Sequence, residues 1–374
     1  MYILLTDPFS RKTFDIANIL KRKNYKLLVA CSGGFFKSIL VKALYTSKTV
    51  QLSENNFTDD INVIENNYKC VFFPIEEKTI LKFYEYLKYN LNSNIKSLLP
   101  TQQIFNLVRD KGIFSNFCLS NGINVPKEYT FNEIYNMKIL PSSLIIKPKI
   151  GAGSVGIKFI DDISNINILD TLDSSKYLIQ ERIKNGQNIL GGFFLANDGD
   201  LVSYYGHKRI RTYPEEGGVT VYSKVDINEE IKALGSGLLK KLNWSGIAMI
   251  EFLYDENSKT YKIIELNPRA WGSIMLSEFC NSNIIENYIN LSIENEITDT
   301  TLNDKVFIRW LFPWDVISYI KKKGNIEGFW NLNTKNTCYI NNTYSNFFQA
   351  FLFLLINIFD INKLRKLYLK VFKK

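Results

Sequence analysis

Residues 247–269 read IAMIEFLYDENSKTYKIIELNPR and hold the clearest chemistry in the 374-residue chain. Two strand-like runs, Ile247–Tyr254 and Tyr261–Leu266, flank the turn-rich Asp255-Glu256-Asn257-Ser258. Folded as an antiparallel hairpin centred near 257–258, they put Glu251 close to opposite Glu265. Asn267, two residues beyond Glu265, shares that face. Like charges across a ladder repel. A buried pair must protonate, separate or hold a cation. Two carboxylates and an amide oxygen form a hard-ligand set suited to Mg²⁺. Both glutamates sit inside apolar runs, which favours this over a solvated acidic face. Arg269, two residues further on, would lie near a metal-bound phosphate and stabilise developing charge.

A glycine loop supplies the second element. Leu144-Ile145-Ile146-Lys147-Pro148 is an apolar run carrying a cation, and Gly151-Ala152-Gly153-Ser154-Val155-Gly156 follows. GxGxxG alone is weak. A dinucleotide fingerprint must open a helix, whereas Ile157-Lys158-Phe159-Ile160 reads as a strand. Strand, glycine loop and strand describe a flap whose N–H groups close over phosphates, against an ordinary glycine hairpin. Lys147 favours the flap.

Much other chemistry is excluded. His207 is the single histidine, so a two-histidine zinc protease or a His-rich metal site is impossible. The five cysteines (Cys31, Cys70, Cys118, Cys280 and Cys338) are scattered, odd in number and lack a CxxC pair. That opposes a disulfide framework and fits a reducing cytoplasm. Apolar content of 46% opposes intrinsic disorder.

Around these motifs the chain reads as α/β. Strands are expected at Ile3–Leu5, Leu27–Ala30, Val63-Ile64 and Val71–Phe73, and helices at 11–23, 36–45 and 78–89. Their alternation implies a small open parallel sheet. Ser32-Gly33-Gly34 reads as a βα turn in preference to a phosphate site. Pro100 marks a boundary and Thr101 an N-cap. Helical spacing runs through Ile104, Val108, Phe114 and Leu119 to Asn121-Gly122. Residues 144–267 are mainly strand-like, with a helix near Glu229–Leu242.

The N-terminus MYILLTDPFSRK reads as a buried strand, not a signal peptide. Phe347–Phe359 is nearly all apolar but shorter than the ~20 residues of a membrane span. Ile361, Leu364, Tyr368 and Val371 then recur at helical spacing among lysines and arginines. Of the net charge of +9, +5 falls in 360–374, where six Lys/Arg meet only Asp360. This amphipathic basic helix reads either as core packing or as lying on an anionic membrane.

In order, these parts resemble the ATP-grasp superfamily. The matching segments are RDKGIFSNFCLSNGINVPKEY, IIKPKIGAGSVGI, YLIQERI, HKRIRTYPEEGGVT and IEF…IIELNPRAWGS, covering roughly residues 100–280. The carbamoyl-phosphate-synthase-like carboxylate–amine ligases are the branch most similar. The resemblance implies an ATP-grasp domain over 99–300 with ATP between two subdomains. A Rossmann-like domain (1–98) would precede it and a C-terminal extension (301–374) follow. It implies Lys111 and Lys147 on ATP phosphates, with Gly151, Gly153, Ser154 and Gly156 in the flap. Gln180, Glu181 and Ile183 would form the adenine hinge. Glu251, Glu265 and Asn267 would hold Mg²⁺ or Mn²⁺, and Arg269 would sit beside the reacting phosphate. Lys208, Arg209 and Arg211 would hold phosphate or a carboxylate, with His207 structural. The usual acidic ribose ligand is missing; Gln187 and Asn188 stand there.

The expected reaction is ADP-forming ligation of a carboxylate to an amine through an acyl phosphate, on an amino acid or sugar acid for surface glycans. The partners are then small molecules, with no specific nucleic acid. A homodimer and peripheral membrane contact through 347–374 remain open. A nucleotide-dependent kinase and a non-catalytic ATP- or nucleic-acid-binding module are the rival readings.

Overall fold

The structure is a computed structural model describing residues 1–140, 143–151, 155–183, 189–213, 219–311, 315–332, 335–339 and 347–358. Gly153, Ser154, Gln187, Asn188, Gly217-Gly218 and the basic segment 360–374 lie outside the described residues. Two compact units form. The first joins Met1–Leu99, Arg269–Arg309 and the described part of Leu332–Lys374; the second joins Pro100–Pro268 and Trp310–Asn331.

The first unit opens with β1 (Tyr2–Leu5), α1 (Arg11–Arg22), β2 (Lys26–Cys31), α2 (Phe35–Tyr45), β3 (Lys48–Gln51), α3 (Phe57–Asn67), β4 (Cys70–Phe72) and α4 (Glu77–Tyr89). The strands form a parallel sheet in the order β3-β2-β1-β4. β1 and β4 are almost wholly buried apolar runs, as a parallel sheet covered by helices requires.

Two readings of this region need correction. Val63-Ile64 is not a strand but part of α3. Phe57, Ile61 and Ile64 are buried at helical spacing, and Asp59 and Asp60 favour the helix N-terminus. An apolar pair alone does not reveal its period. Conversely, β3 (KTVQ) is an exposed-to-intermediate edge strand without an apolar run.

The second unit begins with α5 (Gln102–Arg109) and α6 (Lys111–Ser120). Thr101 caps α5, accepting from Ile104 N. The continuous helical spacing is broken at Asp110, whose carboxylate accepts from Gly112 N and Ile113 N and starts α6 afresh. Next come β5 (Glu128–Tyr129), α7 (Phe131–Tyr135), β6 (Leu144–Pro148), β7 (Lys158–Ile160), a 3₁₀ segment (Ile163–Thr171) and β8 (Tyr177–Glu181). These strands form a sheet in the order β5-β8-β6-β7. Its core holds Ile134, Leu144, Ile146, Ile160 and Ile179.

β9 (Ile189–Asn197), β10 (Asp200–Tyr213), β11 (Val219–Val225), α8 (Glu229–Lys241), β12 (Gly246–Asp255) and β13 (Thr260–Asn267) complete this stretch. Within the unit the order is β13-β12-β9-β10-β11, with antiparallel neighbours. α8 covers one face through Ile231, Leu238 and Leu239, packed with Phe194, Trp244 and Phe252.

The chain then supplies α9 (Met275–Phe279), α10 (Ile284–Ser292) and β14 (Phe307–Arg309) to the first unit, and α11 (Val316–Lys321) to the second. It ends its described course in the first unit with β15 (Thr337–Tyr339) and α12 (Phe347–Ile358). α10 is tied to the N-terminal sheet by Tyr288. Its buried hydroxyl donates to Phe72 O (2.8 Å) and accepts from Leu98 N (3.3 Å). Tyr288→Phe strands both backbone groups. We expect a loss of about 1–3 kcal/mol, seen as a lower denaturant midpoint of the first unit's transition.

Candidate active site

The hairpin forms as read from the sequence, and an irregularity that passes over Ile264 on β13 then sets Glu251 directly opposite Glu265 and Met249 opposite Asn267. Its turn is held by Asp255, which accepts from Asn257 N (3.0 Å) and Ser258 Oγ (2.9 Å). Asn267 directs its amide nitrogen to Glu265 Oε1 at 2.8 Å. The three proposed metal ligands therefore occupy one end of one ladder.

Each carboxylate meets a cation from a different element. Arg209 on β10 reaches Glu251 Oε1 at 2.5 Å. Lys111, the first residue of α6, lies 3.4 Å from Glu265 Oε2 and donates to Gly151 O at 2.8 Å. Burial raises the Glu251 carboxyl; Arg209 opposes that shift and Glu265 reinforces it. Lys147 on β6 is buried, which drives its ammonium down to about 8; Lys111 adds to the fall and Glu265 opposes it. Two carboxylates and three cations thus act on one another within this unit.

One backbone row explains the geometry. Glu265, Glu251, Gly191 and His207 stand in register across β13, β12, β9 and β10. Side chains in such a row share a face. Gly191 contributes none, and an added Cβ would meet His207 Nε2 at 2.7 Å. The gap admits the His207 ring, which packs edge-on to Phe193 at 4.9 Å. Burial, helped by Arg209, lowers His207 to about 3. It stays neutral at pH 7 and fills space, as its structural reading held.

The basic segment divides. Arg209 pairs with Ser223 and Arg211 with Tyr222, so Ile210 forms a bulge. Adjacent partners face opposite ways, and the bulge turns Arg211 off the Glu251 face. Arg211 instead forks onto Asp315 (Nε–Oδ1 3.0 Å, Nη2–Oδ2 2.8 Å) and lies over the Tyr222 ring. The Asp315 side chain is fully buried. Lys208 is exposed. Of the three cations expected on substrate, only Arg209 reaches the carboxylates.

The flap begins where expected, between antiparallel β6 and β7. Gly156 has φ +79°, and a Cβ there would lie 3.1 Å from Pro148, so glycine is required. At the expected hinge, Gln180 is buried and donates to Glu128 Oε1 (3.0 Å). Glu181 accepts from Lys127 N (3.0 Å) and from Lys262 Nζ (2.5 Å). Lys262 also holds Asp255 at 3.0 Å. Ile183 follows directly, half-buried. Arg269 belongs to the first unit, 3.4 Å from Glu77 Oε1 and donating to Ala270 O.

Sequence reading missed Lys262, Gly191 and the role of Asp315. A lysine inside the apolar run TYKIIE was the one available signal for the first. Among the described residues no three His, Cys, Asp or Glu cluster as a metal site. A cation here would rest on two carboxylates, the Asn267 amide and groups from a ligand. All five cysteines are buried and unbridged, and burial pushes Cys70, Cys118 and Cys280 up to about 12. These three are therefore poor nucleophiles.

Comparison with known proteins agrees with this architecture. Residues 108–273 match the model of the ATP-grasp domain family. The biotin carboxylase–β,γ-ATP complex of Campylobacter jejuni superimposes with a TM-score of 0.63 at 14% identity, covering 82% of this chain and 74% of that one. The biotin carboxylase domain of Hydrogenobacter thermophilus 2-oxoglutarate carboxylase, solved with MgADP, ADP and bicarbonate, gives 0.63 at 11%, covering 82% and 73%. The Aspergillus clavatus N5-carboxyaminoimidazole synthase, solved with ADP and 5-aminoimidazole ribonucleotide, gives 0.62 at 13%, covering 82% and 80%. At these identities the likeness establishes the fold. No curated protein sequence matches the chain.

Two predictions follow from the charges. Arg211→Ala should cost about 1–3 kcal/mol, because the buried Asp315 carboxylate loses a two-point, charge-assisted partner. Arg209→Ala should lower turnover and also the melting temperature, because Glu251 then faces Glu265 without its cation; turnover lost equally in Arg211→Ala would contradict the division. Lys147 is mostly charged below about pH 8 and mostly neutral above it. ATP affinity should weaken as pH rises through about 8, while Lys147→Arg should hold affinity to higher pH. A fluorescent-nucleotide titration across pH reads both.

Proposed function

We propose that the protein is an ADP-forming ligase joining a carboxylate to an amine. The observation that carries this reading is the Glu251–Glu265–Asn267 set, with Lys111, Lys147 and Arg209 around it, on an ATP-grasp scaffold. Structures of the same fold hold MgADP with bicarbonate, an acid, and ADP with an aminoimidazole ribonucleotide, an amine. That pairing suits one site for nucleotide, acid and amine.

The donor set fits Mg²⁺. Hard oxygens from a like-charged pair, one of them already raised by burial, are stabilised by a cation. Glu251, Glu265 and Asn267 would hold the ion, which supplies positive charge at the phosphates when bound. Lys111 and Lys147 hold the phosphates, and Gly151 and Gly156 shape the flap over them. The hinge Gln180-Glu181 with Ile183 faces adenine, positioned by Lys262. Arg209 holds the acid or its phosphorylated form. Arg269 neutralises charge at the reacting phosphate. No protein nucleophile is needed; catalysis is positioning and charge stabilisation. Attack of the acid on the γ-phosphate releases ADP. The amine then displaces phosphate and forms the amide. A narrower reading takes the acid to be an amino acid or sugar acid for surface glycans, which suits the basic C-terminal sequence.

Purified protein should form ADP and phosphate only when the right acid and amine are both present. AMP and pyrophosphate, or a stable phosphorylated product, would overturn the reading. Glu265→Gln should lower kcat by about 100-fold or more with the melting temperature retained. Steady-state assays across Mg²⁺ concentrations check this.

A further inference from the structure

The first unit carries a face that the ligase reading does not use. Phe35 and Phe36 open α2 and are 76% and 81% exposed, and Ile39 one turn on is 46% exposed. The two rings touch edge-on at 6.1 Å. Leaving adjacent aromatics in water forgoes the stabilisation of burial, and such patches mark contact surfaces. The helix reads FFKSILVKALY: it holds Lys37 and Lys42 and no acid. α12 packs against it, with Gln349 Nε2 3.3 Å from Thr46 Oγ1 and 3.4 Å from Ala43 O.

α12 is apolar along its length (FFQAFLFLLINI). At 1.5 Å per residue its 12 residues span about 18 Å, short of the ~30 Å hydrocarbon core. Among the described residues no helix is long and apolar enough to cross a membrane. The sequence then adds six Lys/Arg against one acid.

We propose that this face docks on an anionic lipid bilayer. Phe35 and Phe36 enter the boundary between headgroups and acyl chains, while Lys37 and Lys42 meet lipid phosphates. Charge decides the occupant. A second copy set face to face would bring lysines against lysines around the aromatic rings. A bilayer presents an anionic layer and then an apolar one, matching cations that flank exposed rings.

The test uses the full chain, sedimented with vesicles of phosphatidylcholine alone or mixed with phosphatidylglycerol, at low and high salt. The expected result is binding to the mixed vesicles only, weakened by salt. Phe35→Ser/Phe36→Ser should lower it about tenfold or more. Lys37→Glu/Lys42→Glu should lower it to a similar extent through charge alone, so the outcome does not hang on one variant. Both should keep the wild-type melting temperature and ADP formation. Equal binding to both vesicle types, unchanged binding of the phenylalanine variant, or a lipid-free dimer abolished by that variant would each overturn the proposal.

Discussion

The second unit is organised around a repulsion. Two glutamates face each other across an antiparallel ladder, where like charges are destabilising unless something intervenes. Arg209 and Lys111 intervene, one from β10 and one from the start of α6. Register makes this balance possible. Slipping β13 by one residue would turn Glu265 to the opposite face and bring a neighbour of other chemistry into its place. The Asp255 turn fixes the pairing as far as Phe252–Ile263, an irregularity at Ile264 completes it, and Lys262 couples the same turn to Glu181 at the end of β8. The hairpin, its carboxylates and the end of β8 are therefore one connected construction.

Space on the face is set by an absence. Gly191 stands between Glu251 and His207, and its missing side chain lets the imidazole pack there. The only histidine is thereby spent on packing, neutral at working pH. Lys147 shows the complementary case. Carboxylates pull its ammonium toward the charged form, yet burial prevails and leaves it near the edge of titration. A phosphate entering beside it would restore the charge that the dry site disfavours.

How much of this was readable follows from the range of the interactions. That Glu251 comes close to Glu265 was readable because strand period and turn composition are local; the irregularity at Ile264 that sets them directly opposite was not. The flap was readable because a strand, not a helix, follows the glycines. Val63-Ile64 misled because two apolar residues fit either period, and β3 was missed because a half-exposed edge strand needs no apolar run. The break between α5 and α6 hid because Asp110 caps a helix inside an unbroken apolar stripe. The two compact units are built from separated stretches, an arrangement that no local pattern encodes.

The basic segment shows the same limit most sharply. HKRIR gives a sequence reader three cations, and strand alternation would set Arg209 and Arg211 on one face. A one-residue bulge at Ile210 reverses the second, and the buried carboxylate that receives it lies 104 positions away. Bulge and acceptor depend on each other. Without Asp315 a guanidinium on that face would lack this charge partner, and without the bulge the buried Asp315 carboxylate would lose its two-point contact with Arg211. One arginine is thereby consumed in holding α11's start to the sheet, while Arg209 stays with Glu251. The positive charge reaching the site is smaller than the sequence advertises, and its selectivity for an anion rests on where Arg209, Lys111 and Lys147 stand rather than on how basic the strand is.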